Sequence, residues 1–185
     1  MLRASLLAAG AALLIAHPIS QAHASDGVVV PMTLVSSKGA GAGIGTVTLR
    51  DGPSGLVLKL DLTEDLAPGP HGFHLHENGS CAPAEKDGAM VAALGAGGHY
   101  DPAGTGMHRG PAGGGHKGDL PILQVSIDED GSLPVKHGLV APQLTLADAL
   151  GRSLVIHALG DNFRDEPAPL GGGGARVACG VVPTQ

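Results

Sequence analysis

Aromatic side chains are nearly absent from this 185-residue chain: it has no Trp, one Tyr (Tyr100) and two Phe (Phe73 and Phe163). That leaves alternating Leu and β-branched residues to build a core, and too few rings to mark an aromatic-rich interface. Basic residues are also scarce, with 11 Lys plus Arg against 17 Asp plus Glu and a formal net charge of −6. That balance excludes a general nucleic-acid binder, which needs a basic face. Cysteine occurs only at Cys81 and Cys179. The length suits one domain and is too short for two of ordinary size. Gly and Pro are plentiful at 31 and 14, near the level at which disorder becomes a concern. The 43% hydrophobic content argues for a folded chain instead. The outstanding residue is His, at 10 copies almost as common as Lys and Arg together.

The first residues read as an export address. Arg3 supplies a positive start, residues 6–16 form an apolar run too short to span a bilayer, and Ala22-His23-Ala24 is a small-x-small cleavage site. Residues 1–24 are therefore expected to be a signal peptide, cut after Ala24, with 25–185 as the single domain. No stable membrane association is expected after cleavage. Export carries Cys81 and Cys179 into an oxidising compartment where they can pair.

The remainder reads as all-β. Leu56, Leu58, Leu60 and Leu62 fall on one face of a strand, with Lys59 and Asp61 on the other. Similar short runs lie at 28–35, 44–50, 72–77, 121–127, 133–139, 153–157 and 175–182, several of them joined by Gly, Pro or Asp-Gly turns such as Asp51-Gly52 and Asp130-Gly131. The spacing predicts eight strands in a sandwich or barrel. One helical turn is expected over 145–150, with Thr145 as its cap, Asp148 completing a capping-box-like pair and Gly151 ending it. Residues 78–119 and 160–174 fit no strand. A loop as long as the first persists in a compact domain only when something holds it. His99, His108, His116 and Asp119 in that loop are candidate metal ligands.

His74 and His76 are two apart in a strand-like run, which puts both rings on one face. Alone, such a pair is a weak signal. The loop adds three imidazoles and a carboxylate, a nitrogen and oxygen set suited to a closed tetrahedral zinc site. His157 ends the apolar strand Leu154-Val155-Ile156, where an unpartnered polar ring is costly, so it is either a ligand or bonded to a backbone carbonyl. His71 reads as structural and His137 as a surface residue.

Taken in order, His71-Gly72-Phe73-His74-Leu75-His76-Glu77, Gly98-His99-Tyr100-Asp101-Pro102, Gly115-His116-Lys117-Gly118-Asp119-Leu120, Leu154-Val155-Ile156-His157 and Gly174-Ala175-Arg176-Val177-Ala178-Cys179-Gly180 resemble the copper/zinc superoxide dismutase family. The stretch Pro169-Leu170-Gly171 to Gly174 and the export address resemble its exported bacterial branch, which implies the periplasm. The resemblance implies an eight-stranded Greek-key β-sandwich, or flattened barrel, with two long functional loops. It implies one copper on His74, His76, His99 and His157, and one zinc on His99, His108, His116 and Asp119, with His99 as a shared imidazolate. Asp161 corresponds to a carboxylate linking a copper ligand to a zinc ligand, here His74 and His108. Cys81 and Cys179 correspond to the family disulfide, and Arg176 to an arginine that guides the anion beside copper.

The implied substrate is the superoxide anion. One superoxide is oxidised to dioxygen, a second is reduced to hydrogen peroxide, and His99 stores a proton between the two halves. The net charge opposes an anionic substrate, so a local positive channel must outweigh it. Arg176 is expected at the inner end of that channel, where the competing reading is a surface pair with Asp165 or Glu166. Lys117, Arg109, Lys86 and Arg164 are candidates for the rim. Met107 stands where exported relatives often carry a lysine, which sets this chain's outer pattern apart. A second function class is a non-catalytic copper-binding or copper-delivery domain on the same fold. Such a domain would be expected to lose part of the copper set or Arg176, whereas here all are present. The sequence leaves monomer or homodimer open.

Overall fold

The structure is a computed structural model that describes residues 27–63, 66–127 and 137–184. The expected signal peptide, the Asp130-Gly131 turn and most of the expected strand 133–139 lie outside the described residues.

Three strands follow one another as hairpins: β1 (Val28–Ser36), β2 (Gly39–Gly52) and β3 (Gly55–Leu62). In β3 the alternation holds as written, with Leu56, Leu58, Leu60 and Leu62 buried while Lys59 and Asp61 face solvent. Burying each such Leu contributes roughly 1.5–3 kcal/mol of transfer free energy. The expected run 72–77 appears as β5 (Phe73–His76), and a separate short strand, β4 (Gly69–His71), precedes it with Gly72 between them. A short hairpin follows, β6 (Ala84–Lys86) with β7 (Ala89–Val91). The later strands are β8 (Leu123–Val125), β9 (Gly138–Ala141), β10 (Ser153–His157) and β11 (Arg176–Val181). The helical turn is α1 (Leu146–Ala149), and its Thr145 and Asp148 close a full capping box.

The fold class is all-β, as the sequence reads, with a different strand count. Seven strands form one curled antiparallel sheet in the order β5-β10-β11-β1-β2-β3-β9. β4 and β8 form a separate two-stranded antiparallel sheet. The last strand, β11, lies beside the first, which interleaves the chain ends in Greek-key fashion. The core is a single aliphatic cluster running from Val28 to Val182, with Phe73 its one fully buried aromatic ring.

The loop 78–119 is not devoid of regular structure. Lys86 pairs with Ala89 across Asp87-Gly88, whose φ values are +53° and +80°. That is a two-residue Asp-Gly hairpin turn, a local signal outweighed in the sequence by the surrounding Gly and Pro. The loop is stapled as well, because Cys81 and Cys179 form a disulfide with Cα atoms 5.8 Å apart.

Candidate metal centre

β5 and β10 lie side by side, with Val155 opposite His74 and Ser153 opposite His76. Their pairing sets His74, His76 and His157 on one wall. Across from β10, β11 brings Arg176 opposite His157, just past a register shift after Ile156. Such irregularities re-aim side chains near functional sites. The long loop folds back on the same wall, where His99 bridges to His76 and Asp119 to His74.

All seven residues of the expected ligand sets are buried, the most exposed being His116 at 8%. His74, His76, His99 and His157 present ring nitrogens within 4.8 Å of one another, and so do the ligand atoms of His99, His108, His116 and Asp119. His99 belongs to both groups. Its ring lies 3.9 Å from that of His74, centroid to centroid, and 5.4 Å from that of His116.

The hydrogen bonds decide which nitrogen each ring offers. His74 and His108 turn Nε2 to the Asp161 carboxylate, at 2.7 and 2.8 Å. His76 turns Nδ1 to the Gly97 carbonyl at 3.0 Å, and His157 turns Nδ1 to the Gly174 carbonyl at 3.1 Å. The opposite nitrogens, His74 Nδ1, His108 Nδ1, His76 Nε2 and His157 Nε2, are buried without a hydrogen-bond partner, as are His99 Nε2 and His116 Nδ1. Orphaned buried nitrogens are costly in a folded chain. Here they converge on two points, and on the zinc-type side the Nδ1 atoms of His99, His108 and His116 lie 3.0, 3.0 and 3.4 Å from Asp119 Oδ1. The donor chemistry fits one copper and one zinc.

Electrostatics agree. Burial pulls His74 down to about 3 and His157 to about 4, and holds His76 and His99 below the ordinary value, so these rings are neutral and keep a free lone pair for a metal. Burial also pulls on His108, but the Asp119 and Asp161 carboxylates outweigh it and raise that ring to about 9. The same contacts, against the opposing effect of burial, hold Asp119 and Asp161 below the usual carboxylate range.

Asp161 therefore sits between His74 and His108, as the sequence reading expects. Its loop is packed so closely that a Cβ at Gly171, where φ is +73°, would lie 2.0 Å from Asp161 Oδ1. Arg176 does not pair with Asp165 or Glu166. Its Nη1 and Nη2 donate to the carbonyls of Ala93 and Gly97 at 2.5 and 2.6 Å. Lys117, a rim candidate, is engaged elsewhere: its Nζ lies 2.7 Å from Asp148 Oδ1, which removes much of its reach as a free charge. His71 is buried, its nitrogens 2.6 Å from the His157 carbonyl and 2.7 Å from that of Ala67, which fits its structural reading. His137 is half-buried just before β9. Two contributors carried no sequence signal. Asp165 accepts from the His108 backbone N–H at 2.9 Å, and Gln143 donates to the Asp119 carbonyl at 2.6 Å. Neither lies at a ligand-like spacing.

An all-β sheet with two adjoining buried ligand sets sharing one imidazole defines a binuclear metalloprotein. The model of the family described as copper/zinc superoxide dismutase matches residues 44–182, and the chain belongs to that family. It is 49% identical over 179 residues to a Superoxide dismutase [Cu-Zn] of Brucella abortus, covering 96% of this chain and 98% of that one. It is 52% identical over 154 residues to Superoxide dismutase [Cu-Zn] 2 of Salmonella typhimurium, covering 83% and 86%. The solved Cu/Zn superoxide dismutase from Brucella abortus superposes with a TM-score of 0.77 at 52% identity, covering 83% of this chain and 97% of that one.

Proposed function

We propose that the protein is a superoxide dismutase, converting two superoxide anions and two protons into dioxygen and hydrogen peroxide. The observation that carries this reading is the set of six buried, unpartnered imidazole nitrogens turned toward two adjacent points. In it, His74, His76, His99 and His157 would hold copper, with His74 Nδ1 and the Nε2 atoms of the other three free to do so. The Nδ1 atoms of His99, His108 and His116, with the Asp119 carboxylate, would hold zinc. When bound, copper supplies the one-electron exchange, while zinc, which keeps one oxidation state, supplies fixed charge and a closed ligand set.

The chain's own groups do the rest. Arg176 binds the anion: two carbonyls fix its guanidinium opposite His157, and the fork keeps further N–H donors for an oxygen ligand. His99 Nε2, whenever it is free of copper, is the atom that would hold a proton for the peroxide product, because its other nitrogen is committed beside Asp119. Asp161 fixes the tautomers of His74 and His108 and so aims one ring into each set.

The compartment follows from the same reading. The closed disulfide and the bacterial relatives support an exported protein, and the address in residues 1–24 supports the periplasm. Intact mass of the chain recovered from that compartment should give Ser25 as its first residue.

The deciding experiment loads metal-free protein with copper, zinc or both, then measures metal content and superoxide consumption. One copper and one zinc per chain are expected, with activity restored by copper and not by zinc alone. Equal activity with zinc alone would overturn the redox reading. Full loading without superoxide consumption would instead establish a copper-binding or copper-delivery domain.

A further inference from the structure

The zinc-type set draws all four ligands from residues 99–119, a stretch with no regular strand or helix beyond isolated bridges. On its inner side the stretch is held by β5: Leu75 N donates to the Gly118 carbonyl at 2.9 Å and Leu120 N to the Phe73 carbonyl at 3.2 Å. Those bonds fix one edge of the segment. The other edge carries the carbonyls of Lys117 and Asp119, two residues apart and pointing the same way.

Gln143 covers that second edge. Its amide nitrogen donates to the Asp119 carbonyl at 2.6 Å and to the Lys117 carbonyl at 3.2 Å, which uses both of its N–H bonds. Among the described residues nothing else donates to either carbonyl, and Asp119 is fully buried. The amide orientation is fixed by those partners, since the flipped amide would set oxygen against two carbonyl oxygens. That orientation leaves Gln143 Oε1 buried without a partner, a cost the side chain bears to keep both donors in place. The base of the side chain is rigid. Leu144 N closes a turn onto the Ala141 carbonyl at the end of β9, and Leu56 N of β3 donates to the Leu144 carbonyl at 2.9 Å. The neighbouring α1 adds a second tether, the Lys117–Asp148 pair.

We infer that Gln143 is a positioning residue for zinc: through the Asp119 backbone it holds the Asp119 carboxylate against the Nδ1 atoms of His99, His108 and His116. This rests on the zinc assignment above. Gln143 itself touches none of His74, His76, His99 or His157, and Asp119 reaches the copper-type set only through the shared His99 and its backbone bridge to His74, so zinc, which Asp119 would ligate directly, is affected first and most.

The test follows release of each metal from the fully loaded protein into a chelator, copper and zinc from one sample. Gln143→Leu leaves both carbonyls without a donor, and Gln143→Glu sets a carboxylate against them. Both should release zinc about 10- to 100-fold faster, the usual range for losing a group that orients a ligand, with copper release within 2-fold of the parent. Gln143→Arg keeps N–H donors and should lie near the parent. Cobalt(II) placed in the zinc set should show an altered visible spectrum in the Leu and Glu variants and a near-parental one in the Arg variant, a readout that a general loss of stability does not move. Unchanged zinc release, or zinc and copper release rising together, overturns the inference. Failure of all three variants to fold also overturns it, since the residue then serves the fold and not the metal. A parent chain that takes up no zinc would instead overturn the zinc assignment, a result read before any variant is made.

Discussion

Asp161 and His74 are joined by a 2.7 Å contact between a carboxylate oxygen and Nε2, and the same carboxylate lies 2.8 Å from His108 Nε2. One side chain thus sets the tautomer of a ring in each metal set. Asp161→Asn replaces an acceptor for two N–H groups with an amide that can accept from only one side. Affinity for both metals should fall about 10- to 100-fold, with the sheet unchanged by circular dichroism. Equilibrium dialysis of each metal against the parent checks this, and a loss confined to one metal would show that the carboxylate serves only one ring.

The disulfide closes a separation of 98 residues, with Cys179 buried in a small cluster with Ala93, Ala96 and Val155 and Cys81 half-buried against it. A loop of that size contributes up to about 4.7 kcal/mol in the chain-entropy account. Reduction should lower the melting temperature on the order of 10 °C. It should also slow turnover, because the Ala93 and Gly97 carbonyls that fix Arg176 lie in the stapled loop. Calorimetry and a superoxide assay on verified reduced protein measure both effects.

Acid and alkali should each weaken the metal-free protein, by different residues. His74 and His157 have folded values near 3 and 4, below the unfolded 6.5, so the unfolded chain binds protons first. Their stabilising effect is complete above pH 6.5 and is lost as pH falls, by about 2 kcal/mol each on reaching pH 5. His108 is raised to about 9, so its contribution is complete below pH 6.5 and is lost as pH climbs through 9. Urea midpoints of the apoprotein should therefore peak near pH 6.5. A midpoint rising steadily from pH 6 to 9 would contradict the His108 carboxylate contacts.

What the sequence made legible was the chemistry, more than its supports. The alternation in β3 and the capping box at Thr145 are local patterns, and each appears where its pattern sits. The candidate ligand residues stood out because imidazoles are rare at such density in an apolar, glycine-rich chain. The hairpin across Asp87-Gly88 was readable in principle, but its short strands lack the alternating apolar pattern that announces a buried face. Gln143 and Asp165 act on backbone groups 24 and 57 residues away. Contacts of that kind depend on how loops cross in space, which neither residue type nor spacing encodes. The engagement of Lys117 by Asp148 is likewise visible only once α1 is set against the loop.

Arg176 gives the last prediction. Its guanidinium is half-buried, bonded to two carbonyls, unpaired with any carboxylate among the described residues, and opposite His157 on the neighbouring strand. The chain as a whole carries −6, so the long-range field repels superoxide and the local cation must reverse it. Steering of this kind raises association rates by roughly 10- to 1000-fold and is screened over about 8 Å at physiological salt. Arg176→Glu should cut the second-order rate for dilute superoxide by at least about 10-fold with copper and zinc content unchanged. The parent should slow as salt rises, while the variant should slow less or speed up, because screening then relieves a repulsion. Arg176→Met separates charge from packing: it keeps an apolar side chain of similar length and should lose the salt dependence without acquiring the reversed slope. Rates measured across a salt series for all three proteins decide the matter, and three equal slopes would assign Arg176 to packing of the Ala93–Gly97 segment instead of to guidance of the anion.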